Sequence, residues 1–295
     1  MQPINTTRKK IAAFKVLMLA IVVISAGKSY GQSRNELSFH LKGPFSSLSY
    51  EHEQDEQNMG NGLGAGVNYS RYLNENWSLS TGAEVQSFQG SANYNSINDA
   101  YQATDIEGEE FEFRYSLQNF SEEQAAYYLN IPLKIQYETT GQIRFFAAGG
   151  AKVGFNLKSE YESEASSIVT SGYYQQYDAE LSAPEFMGFG EFEGIDNSKK
   201  SLDLKTSYMI NLETGVKFLL QDDRAFYMGL FVDYGFNDLM EKNSLQNLIS
   251  YNTEDPTSFP SNSVLNSTNK TEGKEYIDKV QNMAMGLKIR YALGL

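Results

Sequence analysis

The chain has 295 residues, a formal net charge of -13 and no cysteine, which excludes a disulfide framework. The acidic balance disfavours nucleic-acid binding, because phosphate contacts need clustered Lys and Arg side chains. Glycine, Tyr and Phe are frequent, with 24, 20 and 18 residues, whereas the chain has only 6 prolines. This composition favours strands over helices.

The first 33 residues differ in composition from all that follows. Four basic residues between positions 8 and 15 precede an apolar run over 16–24, and small and polar residues follow it. This is the arrangement of a secretory signal peptide with a small-residue cleavage site. The apolar run is shorter than the roughly 20 residues that a membrane-spanning helix needs. The sequence therefore predicts a cleaved signal peptide over 1–31 and an exported domain over 32–295.

Beyond the signal segment, eight segments alternate apolar and polar residues with a period of two, which predicts β-strands. In one of them Ile210 and Leu212 lie on one face, while Glu213 lies on the other. Pro132 removes a ladder donor and predicts a bulge or irregularity in its strand. The eight predicted strands are 36–49, 62–72, 77–88, 127–138, 142–157, 204–220, 226–236 and 282–293.

The connections between these strands alternate in length. Tight turns at 73–76, 139–141 and 221–224 alternate with long connections at 50–61, 89–126, 158–203 and 237–281. Outer-membrane barrels have short turns on the periplasmic side and long loops outside. The predicted fold is an all-β, eight-stranded antiparallel up-and-down transmembrane β-barrel with long extracellular loops and periplasmic termini. Within the loops, residues 121–126 resemble a capped helical turn, and residues 243–251 are a second candidate.

A soluble lipocalin-like barrel is the strongest alternative, because alternation alone does not say which face of the sheet is buried. The polar face of the predicted strands favours the membrane barrel, since its small residues and its charges of both signs suit a narrow lumen. Aromatic residues near strand ends, including Tyr72, Trp77 and Tyr137, suit interfacial girdles. The predicted interior polar network consists of Lys42, Glu84, Lys134, Lys152, Glu213, Lys217, Asp233, Lys288 and Arg290.

Two neighbouring strands carry a family resemblance. The sequence YLNIPLKIQY at 128–137, followed by FFAAGGAKVGF at 145–155, resembles the outer-membrane β-barrel domain proteins common in Bacteroidetes, including PorT-like proteins. The resemblance covers essentially the whole mature chain. It implies a fold similar to the small OmpX and OmpA barrels and an outer-membrane location, but hardly any particular activity. One departure is the C-terminal YALGL, where such barrels usually end in an aromatic residue.

Enzymatic motifs are weak throughout the chain. His52 stands among acidic residues of the first loop without a distinctive nucleophile, and His40 falls on the polar parity near Lys42. The glycines at 62–66 superficially resemble a phosphate loop, but no βαβ unit surrounds them. The sequence therefore predicts no catalytic, cofactor-binding or metal site, and no enzyme. Acidic residues greatly outnumber basic ones in the long loops, although none of the loops has EF-hand spacing.

The favoured function is a small structural or interaction barrel that presents acidic extracellular loops. A component of a secretion apparatus is the first alternative, which the PorT-like resemblance implies. A barrel enzyme acting on lipid A or peptides and a passive pore are weaker alternatives. The expected partners are outer-membrane lipid and, through the loops, other envelope or secretion-system proteins. No cofactor and no nucleic acid are expected.

Overall fold

The computed structural model describes residues 34–50, 60–195, 199–241 and 246–295. The predicted signal peptide and His52 lie outside the described residues. The strands are β1 (Asn35–Tyr50), β2 (Gly64–Tyr72), β3 (Trp77–Thr104), β4 (Glu110–Glu138), β5 (Ile143–Glu164), β6 (Ser167–Tyr174), β7 (Ala179–Leu181), β8 (Gly190–Glu193), β9 (Lys200–Ser201), β10 (Ser207–Leu219), β11 (Arg224–Gly235), β12 (Thr268–Asn269), β13 (Lys274–Glu275) and β14 (Val280–Gly294). Single 3-10 turns lie at Gln175–Tyr177, Glu185–Met187 and Val264–Asn266.

Eight of these strands pair in one antiparallel succession. From β1 the order runs through β2 and β3 to β4 in one direction, and through β14, β11 and β10 to β5 in the other. Strand β4 also pairs with β5, so each of the eight has two antiparallel neighbours. The predicted all-β antiparallel up-and-down fold is confirmed. Within the described ranges, no helix has the length and apolar character needed to cross a membrane.

The tight turns and both ends of the described chain lie at the same edge of this sheet, which we call the turn end. The turns connect β2 to β3, β4 to β5 and β10 to β11. The backbone nitrogen of Leu295 donates to the carbonyl of Asn35 at 2.9 Å, and that of Gly294 donates to the carbonyl of Asp223 at 2.7 Å. The long connections therefore all leave from the opposite edge.

Strands β3 and β4 extend far beyond their predicted limits. They have 28 and 29 residues and pair along most of their length, from Trp77 with Tyr137 to Thr104 with Glu110. Most of the predicted loop 89–126 is therefore a β-hairpin. The helical turn expected at 121–126 is wrong, because these residues pair with both β3 and β5. In the second candidate, 243–251, the described residues 246–251 form no helical turn, and Gln246 and Ile249 make isolated β-bridges to Ser267 and Ser261.

The hairpin is the centre of a folded unit that we call the head, made of residues 90–125, 159–195, 199–205, 238–241 and 246–279. Strand β6 pairs with β4, and β7 and β8 pair with β6. The head is built around an apolar core, in which Phe111 packs against Tyr174, Phe189 and Tyr251 with ring centroids 5.1 to 5.5 Å apart. This core continues onto the inner face of the sheet through Met209 and Phe231. The described parts of the predicted connections 89–126, 158–203 and 237–281 are therefore packed structure rather than solvated loops.

Pro132 interrupts the ladder between β3 and β4. The pairing passes from Thr81 with Leu133 directly to Glu84 with Asn130. The hydroxyl of Thr81 donates to the Pro132 carbonyl at 2.7 Å across this gap. The predicted irregularity is confirmed, since proline has no N–H to donate.

Between the turn end and the head, apolar side chains cover the outside of the sheet and polar side chains lie buried on its inner face. Leu212 and Leu230 are 60% and 58% exposed, whereas Glu213 and Asp233 are buried. A soluble lipocalin-like barrel would show the opposite arrangement, with its apolar parity buried. An exposed apolar band instead matches the lipid-facing surface of a membrane barrel.

Candidate functional site

The structure places all nine residues of the predicted polar network on the inner face, and all nine are buried. They come from seven of the eight paired strands, because the period-two alternation turns every second side chain inward. Their charged groups separate into three clusters along the strands. The clusters are described below from the head towards the turn end.

The cluster nearest the head is a group of four alternating charges. The Lys42 ammonium lies 2.6 Å from a Glu84 carboxylate oxygen and 2.7 Å from one of Asp233. The Lys152 ammonium contacts the same two carboxylates at 3.1 and 2.8 Å. His40 Nε2 lies 3.0 Å from Glu84, so its ring joins this cluster. Four strands that are distant in sequence are linked by these contacts.

The middle cluster has a single carboxylate between two ammonium groups. Glu213 Oε1 accepts hydrogen bonds from Lys134 at 2.9 Å and from Lys288 at 2.8 Å. Beside it, the Arg290 guanidinium donates to the side-chain oxygen of Gln136 at 2.8 Å and stacks 3.7 Å from the ring centroid of Tyr227. Strands β4, β10 and β14 are held together here.

The third cluster lies at the turn end and centres on Lys217. Its ammonium contacts Glu36 at 2.7 Å, Glu138 at 3.1 Å and the Tyr72 hydroxyl at 2.7 Å. The Tyr227 hydroxyl donates to Glu36 at 2.7 Å. Tyr72 was expected in a lipid-facing girdle, but it is buried in this cluster. Its even position in β2, which it shares with the buried Asn68 and Ser70, was the sequence signal for that placement.

Glycine makes room for these long side chains. A Cβ on Gly64 would lie 2.7 Å from Cε of Lys42. At Gly150 the absence of a Cβ instead allows the backbone of β4 to approach, since a Cβ there would lie 2.1 Å from the Leu133 carbonyl oxygen. A void of about 10 Å³ remains beside Glu213 and Arg290, about the room that one water needs. Around this void the inner face is filled by side chains and paired charges.

The head also contains a buried carboxyl group, that of Glu122. Glu122 accepts hydrogen bonds from Gln124 Nε2 at 2.8 Å, from the Ser163 hydroxyl at 3.1 Å and from the Val264 backbone nitrogen at 3.0 Å. The Ser263 hydroxyl also donates to it. Burial raises the pKa of the Glu122 carboxyl, although these hydrogen bonds partly oppose the effect. This side chain ties the connection before β14 to β4 and β5.

Comparison with known proteins identifies the class of protein that these features define. The family model described as "Outer membrane protein beta-barrel domain" matches residues 29–241. The chain belongs to this family of outer-membrane β-barrel proteins. The resemblance seen at 128–137 and 145–155 therefore indicated the correct broad class. No curated protein matches the chain.

Several solved structures of outer-membrane proteins are similar to this chain. Ail, the attachment invasion locus protein of Yersinia pestis, is 9% identical, covers 89% of this chain and 100% of its own, and has a TM-score of 0.32. Neisserial surface protein A is 10% identical, with coverages of 88% and 94% and a TM-score of 0.32. A major outer membrane protein from Thermus thermophilus is 11% identical, with coverages of 90% and 100% and a TM-score of 0.36.

Proposed function

We propose that this protein is a closed, eight-stranded outer-membrane barrel without enzymatic activity, whose role is to hold an acidic interaction head outside the cell. The observation that carries the proposal is the contrast between two parts of one sheet. Paired charges fill the inner face near the turn end, whereas the head has an aromatic core and a strongly acidic sequence. A filled lumen suits a support for the head better than a channel.

Closure of the barrel is supported by the strand pairing, since every one of the eight long strands has two partners. The outer face of β4 supports the membrane position. Its apolar residues run from Tyr137 to Tyr127, a span of ten residue steps. At about 3.4 Å per step and a tilt of about 40°, this span is about 26 Å high. Outer-membrane barrels have an apolar band of about 25 Å.

The orientation in the proposal follows from connection lengths. Short turns face the periplasm in outer-membrane barrels, which assigns the turn end to the periplasm and the head to the exterior. Export through a cleaved signal peptide over 1–31 agrees with this orientation. The motifs at 128–137 and 145–155 favour a Bacteroidetes-type, PorT-like member of the family.

The geometry around His40 favours a structural role over a catalytic one. Its Nε2 lies 3.0 Å from Glu84 and its Nδ1 lies 3.1 Å from the Asn68 amide nitrogen, so both ring nitrogens are engaged. The ring is buried on the inner face. A general base must reach the proton that it abstracts from a substrate. His40 is therefore better explained as part of the lumen network.

Site-specific photo-crosslinking in living cells tests the interaction role. A crosslinking side chain at the exposed Gln118 of the head should capture an envelope or extracellular protein. The same side chain at the exposed Asn74 of the turn end is the matched control. Capture of secretion-system components through Gln118 would favour the assembly role instead. An absence of protein adducts at Gln118 and at other exposed head positions would refute the interaction role.

A further inference from the structure

Large apolar side chains stand in solvent at the far end of the head, where β3 turns into β4. Ile106, Tyr177 and Phe186 are 75%, 62% and 73% exposed. We call this surface the tip, made of residues 104–114, 175–187 and 251–257. Phe111 of the first segment and the neighbouring Phe189 are buried in the core of the head. The exposed side chains are therefore not part of that core.

Hydrogen bonds fix the first two segments of the tip to each other. The Tyr177 hydroxyl donates to Glu109 at 2.8 Å, and the Tyr174 hydroxyl donates to Asp105 at 3.0 Å. Asp105 also accepts from the backbone nitrogens of Glu107 and Glu109, each at 2.9 Å, and so closes the β3–β4 turn. The turn that presents Ile106 is thus held in a defined shape.

The third segment bridges the other two. The Thr253 hydroxyl donates to the Thr104 carbonyl at 3.1 Å, and the Tyr251 hydroxyl donates to the Met187 carbonyl at 3.2 Å. The tip is therefore one ordered surface rather than three separate loops. A surface of this kind needs little reorganisation when it binds a partner.

The tip is strongly acidic. Arg114 is the one basic residue in its sequence, and it is already paired with Glu112 at 2.6 Å and Glu180 at 3.3 Å. Among the described residues, Glu107, Glu185 and Glu254 form no ion pair. The acidic residues of the tip are Asp105, Glu107, Glu109, Glu110, Glu112, Asp178, Glu180, Glu185, Glu254 and Asp255.

We infer that the tip docks a basic protein segment that also carries apolar side chains. The inference deepens the proposed interaction role and rests on it. Unpaired carboxylates attract a cationic partner and steer its approach, while exposed aromatic and aliphatic side chains supply anchors. Nucleic acid and anionic lipid would be repelled by the same carboxylates. A second copy of the tip would also be repelled, because both surfaces are negatively charged.

The test uses the full chain in lipid nanodiscs and a synthetic peptide that alternates Lys with Leu, with binding measured by calorimetry. Glu107→Lys together with Glu185→Lys should weaken binding at least about tenfold, which is a loss of about 1.4 kcal/mol. Ile106→Ser together with Phe186→Ser should weaken it similarly. Raising NaCl from about 0.05 M to about 0.5 M should also weaken it, because salt screens exposed charges.

Controls separate a docking surface from general acidity. Glu75→Lys makes the same two-unit charge change as Glu107→Lys alone, but in an exposed turn at the opposite end, and should leave binding unchanged. A peptide with Ser in place of Leu should bind at least about tenfold more weakly. If Glu75→Lys weakens binding as much as the tip variants, or if the Ser peptide binds equally well, the inference is overturned.

Failure of this inference is distinguishable from failure of the proposed function. The crosslinks captured through Gln118 are compared between the wild type and the two tip variants. If the same adducts persist in both variants, the head still binds partners and only the tip inference is wrong. If no adducts form even in the wild type, the interaction role itself fails, and the tip inference fails with it.

Discussion

Replacing Glu213 with alanine removes the carboxylate that neutralises two buried lysines. Glu213 lies 2.9 Å from the Lys134 ammonium and 2.8 Å from that of Lys288. At an effective dielectric constant of about 20, each contact contributes roughly 6 kcal/mol of gross attraction. Most of this attraction offsets the desolvation of the charges. Breaking a buried pair by removing one partner typically costs about 3 to 5 kcal/mol.

We therefore expect Glu213→Ala to lower the free energy of unfolding by about 3 to 5 kcal/mol, with water in the lumen favouring the lower end. Glu164→Ala is the matched control, because Glu164 is an exposed carboxylate of the head. A surface change of that kind is usually worth less than about 0.5 kcal/mol. Adding Lys134→Met and Lys288→Met to Glu213→Ala should restore much of the loss, since apolar residues replace buried charges well.

Urea unfolding in detergent micelles measures these differences. Trp77 is the single tryptophan of the chain and lies on the outer face at the start of β3, where its fluorescence reports exposure to lipid or detergent. Electrophoretic mobility of unheated samples gives an independent measure of the folded fraction. Equal midpoints for Glu213→Ala and Glu164→Ala would refute the claim that paired charges stabilise the lumen.

Four further outcomes follow from the same structure. In planar bilayers the pure protein should show at most small, rare openings, and sustained nanosiemens-scale currents would contradict a filled lumen. Leu212→Arg should impair insertion by about 2 to 4 kcal/mol, measured as the folded fraction in vesicles, whereas a soluble barrel would aggregate instead. In intact cells an impermeant maleimide should label Ser166→Cys but not Asn74→Cys, and the reverse pattern would invert the orientation. Because burial raises the pKa of Glu122 in the folded head, its contribution to stability should be complete below pH 4.5 and decline as pH rises through the raised pKa. Glu122→Gln should therefore gain stability relative to the wild type as the pH of a urea series increases above 4.5, and a constant difference would contradict the raised pKa.

Between the turn end and the head, most of the correct predictions came from the alternation of apolar and polar residues along the strands. In β10 the inward positions of Asn211, Glu213 and Lys217 follow directly from one parity, and the structure buries all three. The same rule extends to Tyr72, which composition alone assigned to a girdle. Here the even or odd position of a residue in its strand therefore predicted the placement of its side chain more reliably than the residue type did.

The head was not predictable in the same way. Along β4 the buried positions are odd from Phe111 to Leu117 and, except at Ile131, even from Phe120 onwards. The change falls at Asn119, whose φ is 48°. A search for unbroken alternation loses the strand at this point. The sequence SEEQ at 121–124 then gave a local helical signal that long-range pairing with β3 and β5 overrides. The local sequence does not contain the information that β4 pairs here with strands distant along the chain.

Strand β4 shows that the head and the part of the sheet below it suit different solvents. On β4, between the turn end and Tyr127, the outward residues Leu133 and Ile135 are exposed and apolar, while Lys134 is buried between them. In the head part of the same strand the outward positions become polar, and most buried positions become apolar, with Phe113 among them. An apolar outer surface is stable only where the surrounding solvent is itself apolar, and an aromatic core with a polar outer surface is the arrangement that water requires. The inversion along a single continuous strand is therefore the pattern expected of a strand that leaves the bilayer at about Tyr127.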